Sequence, residues 1–327
     1  MRFLLVRLSS MGDVVLTTPL VRALHERYPS AEIHFLTRAA YQSLLRFHPL
    51  IQKVHIWEKR HTIYTLKWTG VIDLQKNLRT LLVRRYISAE KITTFPKENF
   101  KKWLMVRLGQ VYQLRHVVER YGEALRAWGV SPDHLGPLEV HIPAEITESV
   151  RAFLAKLSSE EKYIAVGLGG TYPTKRWYAE YYVSLLNRLG YPVVLLGGHS
   201  EIPDAIQIAR ELSVPVLNGV GQFSLLETAA AIKAARVLIT HDTGTAHLGA
   251  AMQTPTAVLW GNTTPAFGME PWKVPHLNIE IQSLSCRPCS KLGYRACPRG
   301  HHDCMRALTP DYVEKRLRSF FHVFRLL

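Results

Sequence analysis

Residues 237–251 read VLITHDTGTAHLGAA, an apolar run followed by a short polar turn and an alanine-rich stretch. The apolar run has the length of a buried strand, and the small residues after it allow the chain to turn into a helix. Units of this kind build parallel sheets that are covered by helices on both faces. The stretch therefore predicts a doubly wound α/β domain.

The alternation of apolar runs and amphipathic stretches covers the chain and restarts once, which predicts two doubly wound halves. In the first half we expect strands at residues 3–8, 32–37, 53–57 and 71–74. In the second half we expect strands at residues 163–168, 192–197, 237–240 and 256–260.

Domain boundaries follow from the proline-containing segment at residues 129–143, which has little helical periodicity and predicts a linker there or just beyond, near 145–160. We expect an N-terminal domain at residues 1–155 and a C-terminal domain at 156–308. The tail, 309–327, has apolar residues at helical spacing and predicts a closing helix that packs back on the domains.

Composition is that of a globular protein, with 47% hydrophobic and 20% charged residues in 327. That length favours two domains. No apolar run reaches the roughly 18 residues of a membrane span. The first apolar run is shorter than a signal-peptide core and precedes no cleavage site, so we expect a cytoplasmic protein. The net charge of +15 favours phosphate-rich ligands, nucleic acids or anionic membranes as partners.

The turn after the strand at 237–240 has the chemistry of a phosphate site. The backbone amides of residues 243–246 begin a helix and would point toward an anion. Asp242 would repel a phosphate, so a role in orienting the loop or binding a sugar hydroxyl suits it better. For His247 the alternative is a core histidine with a satisfied hydrogen bond.

A second basic turn follows the strand at 163–168. Gly169 and Gly170 allow close backbone approach, Thr171 offers a hydroxyl, and Lys175 or Arg176 offers positive charge beside a helix start. This arrangement suits a phosphate, although an ordinary solvated turn has the same composition.

Asp13 follows the first strand, where doubly wound folds bind ligands beyond the carboxyl ends of their strands. That position places its carboxylate at the mouth of a crevice. The alternative is that Asp13 caps the following helix, as aspartate often does.

Four cysteines lie close together at Cys286, Cys289, Cys297 and Cys304. Four thiolates could hold zinc in a closed structural site. The second pair lacks CxxC spacing, and reduced thiols or local disulfides are the alternatives.

Three parts of the chain resemble the signature segments of glycosyltransferase family 9, the ADP-heptose:lipopolysaccharide heptosyltransferases. They are VRLSSMGDVVLTTP, then HDTGTAHLGAA with PTAVLWGNTTP, and CRPCSKLGYRACPRGHHDCM. The segments occur in the order of the family and span almost the whole chain.

The resemblance implies a GT-B fold, in which two Rossmann-like domains face a cleft. The C-terminal domain would bind the nucleotide sugar and the N-terminal domain the acceptor. It also implies that catalysis needs no metal or other cofactor, so zinc at the cysteines would be structural only.

Roles for individual residues follow from the same resemblance. Asp13 would be the general base, and Thr171 and Lys175 would contact the donor phosphates. The remaining donor-site residues would be Asp242, Thr243, Gly244 and His247. The chain departs from the family at residues 197–201, where either His199 or Glu201 could make the ribose contact.

The function implied is an inverting transfer of heptose from ADP-heptose to the lipopolysaccharide inner core, on a lipid A–Kdo or heptosyl acceptor. The acceptor is an anionic glycolipid, so we expect peripheral association with the inner face of the inner membrane. Residues 76–126, with 12 Lys or Arg against 4 Glu among apolar residues, suit such a surface, although a solvated helix has the same pattern.

Two other functions fit some of these features. A family 9-like transferase could use another sugar nucleotide or acceptor. A basic nucleic-acid-binding protein would fit the charge and the 7 tryptophans, but the sequence has no RRM, zinc-finger or homeodomain signature. We therefore expect no nucleic-acid partner.

Overall fold

The computed structural model describes residues 1–157 and 163–326. The chain forms two compact units. The first consists of Met1–Glu98 and Arg115–His141, and the second of Asn99–Leu114 and Ile142–Leu327. Each unit contains one parallel sheet.

The sheet of the first unit has the order β3-β2-β1-β4-β5. Its strands are β1 (Arg2–Val6), β2 (Glu32–Thr37), β3 (Lys53–Ile56), β4 (Lys67–Asp73) and β5 (Ser88–Thr94). Phe3 on β1 lies opposite Ile33 on β2 and Gly70 on β4. Helices cover both faces of such a sheet, which is why the central strand β1 is a continuous apolar run.

The helices that pack on this sheet are short. They are α1 (Met11–Val15), α2 (Thr18–Arg27), α3 (Ser43–Arg46), α4 (His61–Tyr64) and α5 (Leu78–Tyr86) and, after an excursion containing α6 (Asn99–Leu108) of the second unit, α7 (Val117–Gly122).

The sheet of the second unit has the order β11-β10-β9-β6-β7-β8, again with parallel neighbours. Its strands are β6 (Ile164–Gly167), β7 (Val193–Leu196), β8 (Val216–Asn218), β9 (Val237–His241), β10 (Thr256–Trp260) and β11 (His276–Glu280). The strand order reverses between β6 and β9. A ligand crevice is expected outside the carboxyl ends of strands at such a point.

Helices cover this second sheet as well. They are α8 (Ala144–Leu154), α9 (Ala179–Leu189), α10 (Ile202–Glu211), α11 (Leu225–Ala234), α12 (Gly244–Ala251), α13 (Asp303–Arg306) and α14 (Pro310–Phe324). The last helix, α14, packs against α9 and β11 and buries Val313, Leu317, Phe320 and Phe321.

All eight strands predicted from sequence are present, within two residues of the expected ends for most of them. β5, β8 and β11 were not predicted. All three are edge strands with mostly partly exposed residues. β5 and β11 contain several polar side chains and β8 has only three residues, so none has the apolar run that marks a central strand.

The two units divide the chain differently from the expected ranges 1–155 and 156–308. Residues 99–114 and α8 belong to the second unit, although they precede residue 155. The tail helix α14 also belongs to the second unit. Residues 158–162 of the expected linker region and residue 327 of the tail lie outside the described residues.

In the described part of the chain, every helix is too short or too polar to cross a membrane.

Candidate functional site

Three loops of the second unit meet at Asp242, directly after β9. Lys175, from the loop after β6, donates from Nζ to the Asp242 backbone oxygen at 2.8 Å and to its Oδ2 at 2.6 Å. Thr263, from the loop after β10, donates from its hydroxyl to the same Oδ2 at 2.7 Å. The basic turn and the β9 turn singled out in the sequence are therefore joined at the point where the strand order reverses.

This junction leaves one ammonium proton of Lys175 available for an anion. A lysine ammonium carries three protons, and two of those on Lys175 are used by Asp242. The Asp242 carboxylate is neutralised by the ion pair and is oriented by two donors. This geometry fits the loop-orienting role expected of Asp242 rather than a direct phosphate contact.

Helix α12 begins beside this junction. Its N-cap residue, Thr243, has extended backbone and makes no side-chain capping bond, so its side chain leaves the first amides of the helix uncapped. Among the described residues, the buried Oγ1 of Thr243 has no hydrogen-bond partner. A Cβ added at Gly170 would lie 3.7 Å from the Thr243 methyl group. The two turns thus approach closely and present a hydroxyl and backbone amides suited to a phosphate.

The other predicted donor residues differ in accessibility. Thr171 is exposed, and Gly244 is partly buried at the first turn of α12. His247 is 3% exposed, so it fits a core position as well as a ligand contact.

A second ion pair fixes the loop after β6 to the loop after β7. Arg176 contacts Glu201 at 2.5 Å and donates to the Gly170 carbonyl at 3.0 Å. The other Glu201 oxygen accepts from the Gly198 backbone at 2.9 Å. Both oxygens of the buried Glu201 carboxylate are therefore engaged by the protein. A contact between Glu201 and a ribose would have to compete with these bonds.

Sequence reasoning missed His241, the last residue of β9. Its Nε2 lies 2.9 Å from both the Trp177 backbone nitrogen and the Tyr182 hydroxyl. Burial lowers the pKa of His241 to about 4, so the ring is neutral and can accept these bonds. Its position next to Asp242 was the available signal, but its partners lie about 60 residues earlier in the chain.

Asn262 was also missed as an individual residue, although its polar turn was visible. The side chain is buried, and within the described residues neither its oxygen nor its nitrogen has a hydrogen-bond partner. Buried amides are normally satisfied. Since Asn262 precedes Thr263, its amide is a candidate contact for a bound ligand.

In the first unit, Asp13 accepts four hydrogen bonds through its two carboxylate oxygens. Arg7 Nη2 lies 2.8 Å from Oδ2, and Ser10 donates to the same oxygen from its amide at 3.1 Å and its hydroxyl at 3.0 Å. The Tyr121 hydroxyl donates to Oδ1 at 3.1 Å. The side chain of Asp13 is still 22% exposed.

These contacts determine the charge of Asp13. Burial alone would raise its pKa, but the Arg7 charge and the Ser10 hydrogen bonds together hold the pKa of the carboxyl below its usual range. Asp13 is thus ionised near neutral pH and can accept a proton. The capping alternative is partly realised, because Asp13 is the third residue of α1 and accepts the amide of the N-cap residue Ser10.

The loop that carries Asp13 is held at the reversal point of the first sheet. Gln75, just after β4, accepts the backbone amides of Leu8 at 3.0 Å and Ser9 at 3.3 Å. β1 and β4 are adjacent strands on either side of this point. Asp13 therefore lies where a doubly wound unit is expected to bind its ligand.

The four cysteines lie between β11 and the end of α13 as free thiols. Burial and the nearby cysteines raise the pKa of Cys304 to about 12, so its thiol is protonated. Cys286 Sγ lies 4.0 Å from His301 Nε2. Over the described residues, no three ligand atoms of this loop lie within 4.8 Å of one another. The donor chemistry suits zinc, but the sulfurs are not gathered into a tetrahedral site.

One group that could hold a metal ion by proximity is His48, Glu139 and His141 in the first unit. Arg22 already pairs with both Glu139 oxygens. Burial also lowers the pKa of His48 to about 4. A guanidinium on the one carboxylate makes this cluster a poor cation site.

Comparison with known proteins places this geometry in context. The model of the family "Glycosyltransferase family 9 (heptosyltransferase)" matches residues 56–297. Lipopolysaccharide heptosyltransferase 1 of Pseudomonas aeruginosa is 26% identical, over 89% of this chain and 86% of the relative. Lipopolysaccharide heptosyltransferase 2 of Escherichia coli is 25% identical, over 98% of each chain. The structure of E. coli ADP-heptose LPS heptosyltransferase II superposes with a TM-score of 0.77 at 22% identity, covering 99% of this chain and 100% of the other.

Proposed function

The chain belongs to glycosyltransferase family 9 and is a glycosyltransferase, and from this we propose that it transfers heptose from ADP-heptose to the inner core of lipopolysaccharide. The named relatives, which align along most of their length, support the sugar and the acceptor. The observation that carries the proposal is the junction of Lys175, Asp242 and Thr263 at the reversal point of the second sheet.

The second unit would bind the donor. The diphosphate would lie against the first amides of α12 and the Thr243 hydroxyl, with the third proton of Lys175 directed to a phosphate oxygen. Thr171, Gly244 and His247 complete the proposed donor set. A fixed ammonium that stabilises the departing diphosphate supplies the charge that a metal ion provides in other transferases.

The first unit would supply the base. In the reaction an acceptor hydroxyl oxygen forms a bond to the anomeric carbon while the bond from that carbon to the ADP oxygen breaks. The hydroxyl proton passes to the Asp13 carboxylate, and the ADP leaves as an anion. Attack from the face opposite ADP inverts the anomeric configuration. The ionised state of Asp13 supports this role.

The acceptor in this proposal is a phosphorylated glycolipid at the inner face of the inner membrane, with which the enzyme associates peripherally. The net charge of +15 favours such a surface.

Nucleotide calorimetry tests the donor assignment. We expect ADP to bind, and GDP and UDP to bind at least about tenfold more weakly, because a difference of about 1.4 kcal/mol is what one base-specific hydrogen bond supplies. Transfer from ADP-heptose to a lipid A–Kdo acceptor would then be measured directly. Tighter binding of UDP or GDP would contradict ADP-heptose as the donor. Retention on heparin without any nucleotide binding would favour the alternative of a nucleic-acid-binding protein.

The proposal also includes a structural metal ion, zinc, on Cys286, Cys289, Cys297 and Cys304. Arg287 ties this loop to the β10 turn by donating to the Thr263 carbonyl at 2.7 Å, so a metal here would stabilise the donor site indirectly. Metal analysis of untagged protein tests this assignment, and about one zinc per chain would support it. Four titratable thiols in metal-free protein would contradict this assignment.

A further inference from the structure

Residues 99–114 leave the sequence of the first unit and pack on the second. The inner side of this excursion is anchored by a small core, in which Met105 and Leu114 are buried with Phe267. The Leu114 amide donates to the Ala266 carbonyl at 3.0 Å, and Lys102 Nζ lies 5.6 Å from the centre of the Phe267 ring. The segment is therefore a fixed part of the donor unit.

The outer side of the excursion is apolar and exposed. Its large side chains are 45–95% exposed, and they are Phe100, Trp103, Leu108 and Val111. The rings of Phe100 and Trp103 stack on each other with centres 6.2 Å apart. These side chains contribute little to the core, and a cluster of exposed large hydrophobic residues commonly marks an interaction surface.

The loop that contains the first two cysteines extends this surface. Lys291 donates from Nζ to the Asn99 carbonyl at 3.1 Å, which ties the loop to the start of α6. Leu292 is 62% exposed and Tyr294 38%. Between loop and helix lies a pocket of about 300 Å³, lined by residues that include Trp103, Arg107, Tyr172 and Lys291. We call residues 99–111 and 290–295 together the α6 surface.

The charged residues of the α6 surface all have the same sign. Residues 99–114 contain Lys101, Lys102 and Arg107 and no Asp or Glu. Residues 281–302 contain four arginines or lysines and no Asp or Glu. An apolar, aromatic surface whose own charged residues are all cations is complementary to an anionic lipid interface, where Trp and Tyr favour the headgroup level and basic side chains contact phosphates.

We propose that the α6 surface docks the enzyme on an anionic lipid membrane. The exposed apolar side chains enter the interface, and the pocket between Arg107 and Lys291 receives a lipid phosphate. This inference rests on the proposed function, since it supposes a membrane glycolipid as acceptor. It adds that the second unit, which would bind the donor, also makes the membrane contact. This contact lies close to the turn after β6, because the pocket residue Tyr172 directly follows Thr171.

Vesicle co-sedimentation tests this assignment. Wild-type protein should bind vesicles of phosphatidylcholine with 30% phosphatidylglycerol (roughly a cell-like anionic content) and should bind pure phosphatidylcholine much less. The double variant Trp103→Ala/Leu292→Ala should lower the vesicle partition coefficient at least about tenfold. Each truncation removes several carbons that would otherwise be buried in the lipid interface. Trp103 is 45% exposed and Leu292 62%, and neither belongs to the buried core, so the variant should fold.

A matched control uses the first unit, where Leu81→Ala/Leu82→Ala removes two exposed apolar side chains of α5. We expect this control to keep most of the vesicle binding. Equal loss in both variants, loss in the control alone, or equal binding of wild type to neutral and anionic vesicles would overturn the assignment. A dimer in solution that the Trp103→Ala/Leu292→Ala variant dissociates would also overturn it, in favour of a second copy covering the surface.

ADP calorimetry on the same variants separates this inference from the proposed function. The docking variant should bind ADP as wild type does, because its changed side chains belong to the docking surface and not to the proposed phosphate contacts. If wild type binds neither ADP nor another nucleotide, the proposed function fails whatever the vesicles show. If ADP binds and the vesicle result is negative, only the docking assignment fails.

Discussion

Asp13→Asn should lower turnover at least about a hundredfold while leaving ADP affinity unchanged. A hydroxyl is a weak nucleophile until its proton is taken during attack, and the ionised carboxylate of Asp13 is placed to take it. Asparagine keeps the size and most of the hydrogen-bond geometry but cannot accept that proton. Donor binding should not change, because the proposed ADP contacts belong to the other unit.

The contacts of Asp13 require a stability control. Arg7 is buried and pairs with Asp13, so the Asn variant leaves a buried guanidinium without its anion and should lose on the order of 1–3 kcal/mol of stability. Thermal unfolding and ADP calorimetry would show that the variant is folded at the assay temperature. Tyr121→Phe is the matched control, because it removes one hydrogen bond to the same carboxylate but keeps the carboxylate itself. We expect its turnover to fall less than about tenfold.

The dependence of kcat/KM on pH tests the role of Asp13 as base independently of the substitution. The pKa of Asp13 is lowered, so the carboxylate remains charged as the pH falls from about 8 to 5, above the ordinary aspartate value near 3.9. Asp13 should therefore stay deprotonated across that range, and its titration should not change kcat/KM there. A loss of activity centred near pH 6.5 would indicate a histidine base instead. Near-normal turnover by a folded Asp13→Asn enzyme would leave Asp13 with its helix-capping role alone.

Much of the fold was predictable because central parallel strands are buried on both faces. β1, β6, β9 and β10 read as apolar runs for that reason, and the turns after them carry the small and polar residues that a ligand needs. The edge strand β5, with the sequence SAEKITT, carries no comparable signal. Neither does the association of residues 99–114 with the second unit, since it depends on a three-dimensional contact between Leu114 and Ala266.

The site was predictable as a set of positions but not as a set of contacts. Lys175 and Asp242 were each identified from the turn that carries them, but nothing in sequence shows that they pair across 67 residues. The pairing changes the role of Asp242 from a potential source of repulsion to the anchor of Lys175. Likewise, nothing in the sequence shows that Arg176 and Glu201 form an ion pair, which joins the loops after β6 and β7.

Lys175→Ala should weaken ADP binding by about 1.5–3 kcal/mol, or roughly 10- to 150-fold in the dissociation constant. Two effects act in the same direction. The variant loses a charge-assisted bond from the third ammonium proton to the diphosphate. It also leaves the Asp242 carboxylate, which is only 12% exposed, without its cation beside the incoming phosphates.

Two further variants separate those effects and test the assignment. Lys233→Ala removes one exposed lysine near the end of α11. The end of this helix leads into the start of β9, whereas the site lies beyond the carboxyl end of that strand. This charge control should bind ADP as wild type does. The double variant Lys175→Ala/Asp242→Asn removes the unpaired carboxylate, so it should recover part of the lost affinity if repulsion contributes. Calorimetry at fixed ionic strength measures all of them, because screening by salt weakens each charge term. Unchanged ADP affinity in Lys175→Ala would remove Lys175 from the donor site and leave its ion pair with Asp242 as a purely structural link between the two turns.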